Sequence, residues 1–290
     1  MKKENPIRTA FTKLFRNKLA TICFFVLIVE VVLIVGAPLF TKFDPNEQNI
    51  LIRLAPGFWD KGASNYQPGH FLGTDELGRD IWSRLLYGGR VSLSVGLIAT
   101  LTGLVFGTFF GLIAGYYKKL DDIIMRIMDI MFTFPGILLA LLIVAMLGIS
   151  VKNATIAISI WSIPAFARMI RGRVLQIKQE EYITAIQSLG CKDSHILIRH
   201  ILPNVMPTII VVATMRIASA ILSIATLSYL GVGVPVPGAE WGGMISSAKK
   251  QMFQAPFLII IPGIAIVITV VCFNILGDKL RDILDPSLKD

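Results

Sequence analysis

The chain has 290 residues, 54% of them hydrophobic, and a mean hydropathy of +0.69, which excludes an ordinary water-soluble domain and predicts an all-α polytopic membrane protein. The net charge of +9 does not call for nucleic acid, because the basic residues gather in alternate loops as the positive-inside rule places them. Cys23, Cys191 and Cys272 lie far apart, with neither the pairing of a disulfide framework nor metal-ligand spacing.

Residues 1–18 are basic, carrying Lys2, Lys3, Arg8, Lys13, Arg16 and Lys18. The apolar run over 19–40 exceeds the roughly 7–15 residues of a signal-peptide core, so a retained signal anchor is preferred to a cleaved leader. A charge at mid-bilayer costs about 3 kcal/mol on insertion scales, so Glu30 within this run is expected to face protein or water. Residues 41–90 are polar and expected outside. In them Asp75–Arg79 and Asp80–Arg84 stand four apart, and Ile81, Trp82, Leu85 and Leu86 share a face, which predicts an amphipathic helix in the outer interface.

The second span covers 91–117. Gly103, Gly107, Gly111 and Gly115 make a small-residue stripe along it, a device for close helix packing rather than a ligand site. Tyr116 and Tyr117 mark an interface, and Lys118 and Lys119 the inner side. A third span over 121–148 opens with the pair Asp122–Arg126 and holds Pro135, which predicts a kink or break. The fourth, over 153–170, ends in Arg168, Arg171 and Arg173. The charges of 168–200 keep that stretch in the cytoplasm. The fifth span, 207–230, contains Arg216; an external loop over 231–255 carries Pro235, Pro237 and a GAEWGGM turn; the sixth is 256–276. Lys279, Arg281 and Lys289 return the C-terminus inside, giving six spans with both termini cytoplasmic. Two parts follow: 1–90, with the tail, first helix and external segment, and a five-helix core over 91–290.

The most informative stretch is 181–203, EYITAIQSLGCKDSHILIRHILP. Its spacing predicts a helix with Tyr182, Ala185, Ile186 and Leu189 on one face. Gly190 suits a left-handed C-cap, Asp193 or Ser194 an N-cap, and Pro203 a stop. Two short helices hinged at a glycine, held in water beside a membrane, form a knuckle suited to a soluble partner.

This stretch resembles the loop of binding-protein-dependent ABC importer permeases, written EAA, three residues, Gly, nine residues, Ile-x-Leu-Pro. Ala185, Gly190, Leu202 and Pro203 match, while Thr184, Ile186 and His200 depart from it. The segment GTDELGRD, from Gly73 to Asp80, strongly resembles the start of the core in the "C-type" permeases of the peptide and nickel importers, whose members also carry a Pro-rich turn and Trp-Gly before the last span. The resemblance implies a type I (MetI-like) core of five helices preceded by one extra N-terminal helix. It implies a second homologous permease, two ATPase subunits, an external solute-binding protein and a bacterial plasma-membrane location. A coupling loop over 176–203 would then meet the ATPase through Glu181, Tyr182, Ala185 and Leu189 before the hinge at Gly190. After it come Asp193, His195, Ile196 and Arg199, then Leu202 and Pro203. The implied cargo is a di- or oligopeptide, with nickel or a metal–chelator complex as alternatives. Related permeases often carry a glutamate where this chain has Ile224.

No G-x-x-x-x-G-K-[ST], G-x-S-x-G or H-E-x-x-H pattern occurs, and His70, His195 and His200 lie in loops, so no catalytic residue or metal site is expected. ATP and Mg would be bound by the partner ATPases, with no cofactor in this chain. The rival from another class is an ion-coupled carrier with Glu30, Asp129 and Arg216 as its relay. Arg216 and Asp129 lie about 13 Å and 12 Å in from the inner ends of their spans, so Arg216 is expected to face the bundle or the translocation path with Asp129 as one partner, or else to satisfy backbone carbonyls.

Overall fold

The structure, a computed structural model, describes residues 14–284. The predicted basic positions Lys2, Lys3, Arg8, Lys13 and Lys289 lie outside the described residues. Among the described residues there is no strand beyond an isolated bridge between Thr74 and Asp80. Five helices among the described residues are long and apolar enough to cross a membrane, and the count rises to six if a sharply bent pair is taken as one span.

Helix α1, Lys18–Val35, starts where the Asn17 side chain accepts a hydrogen bond from the Ala20 amide. It is apolar all round and buries a single stripe, including Cys23, Leu27 and Ile34. Glu30 accepts a hydrogen bond from the Thr269 hydroxyl of the last helix, so it faces protein as expected.

Helix α2, Ile81–Tyr116, is 36 residues long, which at ~1.5 Å per residue gives a rod longer than the apolar core of a bilayer. The predicted amphipathic helix and second span are therefore one element, and the boundary at 90/91 falls inside it. Asp80 caps this helix at the Ser83 amide (2.7 Å) and accepts from His70 Nδ1 (2.9 Å), so it does not pair with Arg84. Arg84 instead reaches Asp75 (3.5 Å) and the carbonyls of Pro45 (2.8 Å) and Pro237 (3.3 Å). The Asp75–Arg79 pair does form, at 2.7 Å, but across a turn at Gly78 (φ 73°) ahead of the helix. Asp75, Arg79, Asp80 and Arg84 are all buried, so this segment is a packed cap rather than a surface helix in the interface.

Helices α3, Lys118–Thr133, and α4, Gly136–Leu147, meet at an 86° bend. Proline at 135 forces Phe134 into extended backbone and leaves no amide to continue the helix, so the predicted kink is a right-angled break. Helix α5, Val151–Lys178, runs past the predicted end at 170 because Arg171 finds Asp121 of α3 (2.6 Å) and so stays helical. The glycine stripe of α2 seats on α5: Gly103 against Ser162, Gly107 against Phe166, Gly111 against Ile170, Gly115 against Val174. A Cβ at any of the four would come within 2.7 Å of α5 atoms, so the stripe is a packing seam, as expected.

At one end of the bundle a lid closes over the helices. Glu240, fully buried, caps the short helix Trp241–Ser247 at the Gly243 amide (2.9 Å) and accepts from the Ser92 hydroxyl of α2 (2.9 Å). Trp241 Nε1 donates to the Leu85 carbonyl at 2.8 Å. The GRD turn and the GAEWGG turn, far apart in sequence, thus form one layer. The last helix, Phe257–Leu284, packs against α1 and against the fifth span.

Candidate functional site

The other end of the bundle carries the knuckle. Helix α6, Glu181–Ser188, stops at Leu189, and Gly190 adopts φ 76°. The Cys191 amide donates to the Ile186 carbonyl (3.4 Å) and the Gly190 amide to Gln187 (3.0 Å), the two bonds of a Schellman cap. The glycine hinge read from the sequence is therefore present. Helix α7, Asp193–Ile196, follows from Lys192, which gives no side-chain cap. Asp193 is not the cap that was expected: its carboxylate accepts from the Tyr116 hydroxyl at 2.7 Å.

Pro203 does not stop the second helix. A π turn over Leu197–Ile201 widens the backbone, the Leu202 amide reaches back to Leu197, and the chain enters helix α8, Leu202–Tyr229, without interruption. Proline has no amide to place, and the wide turn absorbs its ring at the first residues of α8. The knuckle and the fifth span are consequently one rod from Asp193 to Tyr229.

The two faces of the knuckle differ from the predicted division. Ile183 and Ile196 are both 0% exposed and join Val174, Ile177, Ile201 and Val205 in a core beneath the knuckle. Ile196 is therefore an internal anchor and not a partner contact. Ile186 leans partly into the same core, whereas Tyr182, Ala185 and Leu189 turn outward. The outer surface also presents Glu181, Gly190, His195, Arg199 and Pro203, with Leu202 half-buried. Leu189 is 83% exposed and Ile198 67%, so two large apolar side chains stand out of a polar tip. Burial and the nearby Glu180 carboxylate push the Tyr182 phenol above its ordinary range, so it remains a neutral donor while accepting from Asn204 (3.1 Å).

Tyr116, at the end of α2, is the hub the sequence reading missed. Its hydroxyl donates to Asp193 of α7 and accepts from Gln187 of α6 (3.3 Å), while Lys178 of α5 donates to its carbonyl (2.6 Å). Four elements thus meet at one tyrosine. In sequence, Tyr116 carries only the mark of a tyrosine pair at a span end, and no spacing links it to 178, 187 or 193.

The remaining site residues do not assemble. Asp129 pairs with Arg168 of α5 (2.6 Å), so it is not the partner of Arg216, which has no hydrogen bond or ion pair among the described residues. The correction follows from register: Arg168 meets Asp129 across the α3–α5 contact. His195 and His200 lie 5.7 Å apart, and among the described residues no group of three or more His, Cys, Asp or Glu could hold a metal ion.

A helical bundle of membrane-spanning rods, with a glycine-hinged knuckle continuous with one rod, defines the class as a multi-pass membrane protein. Residues 103–290 match the family of binding-protein-dependent transport system inner membrane components, and residues 5–56 match the N-terminal transmembrane domain of oligopeptide transport permease C. The chain belongs to that family, as an ABC importer permease of the peptide/nickel type with a MetI-like core, and this family works with separate ATPase subunits. It is 44% identical over 286 residues to a dipeptide transport system permease protein of Alkalihalophilus pseudofirmus, covering 98% of this chain and 91% of that one. It is 46% identical over 256 residues to a glutathione transport system permease protein of Pectobacterium atrosepticum, covering 83% and 85%. The inward-facing methionine transporter MetNI shares the fold at a TM-score of 0.57 and 20% identity, over 69% of this chain and 95% of that one.

Proposed function

We propose that this chain is a permease subunit that takes up di- or oligopeptides, coupled to its ATPases through 181–203. The observation that carries the reading is the unbroken rod from Asp193 to Tyr229. A partner that grips the outward face of α7 moves a span directly, because α7 runs into α8 without a break, while α6 is held beside it across the Gly190 turn. Leu189, Tyr182 and Ile198 supply the exposed apolar contact such a partner needs, in a patch a lone carrier would leave idle. The dipeptide and glutathione permeases among its relatives support a short peptide as cargo over nickel or a metal chelate. A second permease completes the path, an external binding protein delivers cargo, ATP and Mg stay with the ATPases, and both termini face the cytoplasm. Arg216 lies on the path, with Asp129 held at its edge by Arg168.

The test is uptake and ATP hydrolysis by the reconstituted complex. Gly190→Pro forbids the left-handed cap, since proline holds φ near about −65°. Leu189→Asp places a charge in the contact, where interface anchors commonly contribute more than about 1 kcal/mol. Both variants are expected to insert normally, then to lose ATPase subunits on purification or hydrolyse ATP without uptake. Wild-type uptake in both would show that 181–203 is not the coupling element.

A further inference from the structure

Arg216 stands apart from the other arginines. Arg79, Arg84, Arg168 and Arg171 each hold a carboxylate, Arg90 donates to the carbonyls of Ile34 and Val35, and Arg173 donates to Gln176. The remaining described arginines are exposed to solvent, whereas Arg216 is half-buried, midway along α8, and without an acceptor. About 20 Å of helix separates it from either end of α8, so it stands near the middle of that helix. A guanidinium does not deprotonate in a protein, so the charge persists at that depth.

Its face of the helix is equally specific. Ser219, Ser223 and Thr226 follow Arg216 at helical spacing, and each hydroxyl donates to the carbonyl four residues back: Met215 (3.3 Å), Ser219 (2.8 Å) and Leu222 (2.7 Å). Their oxygens are left as free acceptors. Neighbouring helices cover the other sides of α8, with Ile221 against Gly96 of α2 and Met215 against Gly277 of the last helix. Below Arg216, Ile209 and Val212 close into the apolar core under the knuckle. The result is a column of hydroxyls, partly open, ending on an unpaired cation above an apolar floor.

We propose that Arg216 is a transit site for a carboxylate, and that the cargo's own terminal carboxylate occupies it as the cargo descends the hydroxyl column. The proposal rests on the peptide-importer reading. A planar guanidinium binds a carboxylate through two parallel hydrogen bonds, which a lysine cannot reproduce. The same chemistry could come from an acidic residue of the second permease, so the test separates the two.

The complete importer is reconstituted in proteoliposomes with its binding protein, and uptake of radiolabelled alanyl-alanine is compared with that of its C-terminal amide. Arg216→Gln is expected to slow the free acid about tenfold, the loss of one charge-assisted pair, and to leave the amide unchanged. Arg216→Lys should fall between. Selection by the binding protein cancels, because every variant meets the same one. If acid and amide slow together, the arginine serves the partner permease or the fold, and the proposal falls; if neither slows, Arg216 is off the path and it also falls. Wild type that moves neither peptide would overturn the peptide reading itself. If Arg216→Gln does not assemble, or the amide moves too slowly to measure, Arg216→Cys is assembled with the three native cysteines replaced by serine and modified afterwards. A cationic methanethiosulfonate should restore uptake of the acid and a neutral one should not. Equal behaviour of the two adducts would sink the proposal.

Discussion

The two ends of the bundle are held by opposite chemistry. The lid end is a layer of buried charge: Asp75 between Arg79 and Arg84, Asp80 between His70 and a helix start, Glu240 between Ser92 and a second helix start. The knuckle end is hydrocarbon, with Ile183, Ile196, Ile201 and Val205 fully buried and a single tyrosine as polar hub. Hydrogen-bonded charges hold one geometry and no other, since each lost partner leaves an unpaired buried group. Apolar contact has no direction and allows small slides. The lid end adds a layer of directed, buried charge to its apolar cluster around Ile81 and Trp241, and the end proposed to transmit motion is held by apolar packing with little buried charge.

The sharpest way to break that comparison is topological, because the two ends are assigned to opposite sides of the membrane. Cys191 is the exposed cysteine, and Cys23 and Cys272 are buried, so the native protein carries its own probe. A membrane-impermeant maleimide is expected to label Cys191 only after permeabilisation, and cysteines placed at Ser64 or Ser247 in intact cells. Labelling of Cys191 from outside would invert the molecule.

Next in size is Arg79→Met. It strips Asp75 and Glu76 of their partner inside the lid, and breaking a buried ion pair from one side costs about 3–5 kcal/mol. The expected result is poor accumulation and a strongly lowered Tm in detergent. A Tm near wild type would mean that Arg84 alone satisfies Asp75, and that the lid is less tightly specified than its distances suggest. Smaller again is a contrast within the knuckle. Ile183→Ala leaves a cavity costing about 2–5 kcal/mol, whereas Leu189→Ala removes an exposed side chain and leaves the fold of the isolated subunit within about 0.5 kcal/mol. Coupled uptake should fall in both, stability only in the first.

The same contrast explains what could be read from the chain. Apolar runs of bilayer length reveal the spans, Pro135 the break, Gly190 the hinge and the glycine stripe its seam, because each is a local rule with a single physical cause. The lid misled. Asp80 and Arg84 have ideal helical spacing, yet a helix that starts at Ile81 needs Asp80 as its cap, and spacing does not say where a helix starts. Pro203 misled in the opposite direction, because a π turn is invisible in composition. Ile196 and Leu189 are alike as residues, and only the packing of the knuckle on the core around Val174, Ile177, Ile201 and Val205 decides which faces inward.

The smallest expected effect comes from Tyr116→Phe, and it asks whether the knuckle's geometry depends on its polar hub or on hydrocarbon alone. The phenylalanine keeps the ring in the core and removes only the hydroxyl that joins Asp193 to Gln187. Asp193 is exposed, so water replaces the lost donor and the penalty stays near about 1 kcal/mol, a factor of roughly five in a local equilibrium. Global unfolding should therefore hardly shift. Amide exchange over 181–196 should quicken by that factor while α2 stays protected, since the link between α6 and α7 has gone but each still rests on its isoleucine. If the hub sets the angle at which the knuckle meets the ATPase, more ATP is consumed per peptide moved. Asp193→Asn with Tyr116 intact keeps an acceptor for the tyrosine hydroxyl and should retain protection and coupling close to wild type. Unchanged exchange and coupling in Tyr116→Phe would show that Ile183 and Ile196 position the knuckle without polar help, and that the end proposed to move is organised by apolar packing throughout.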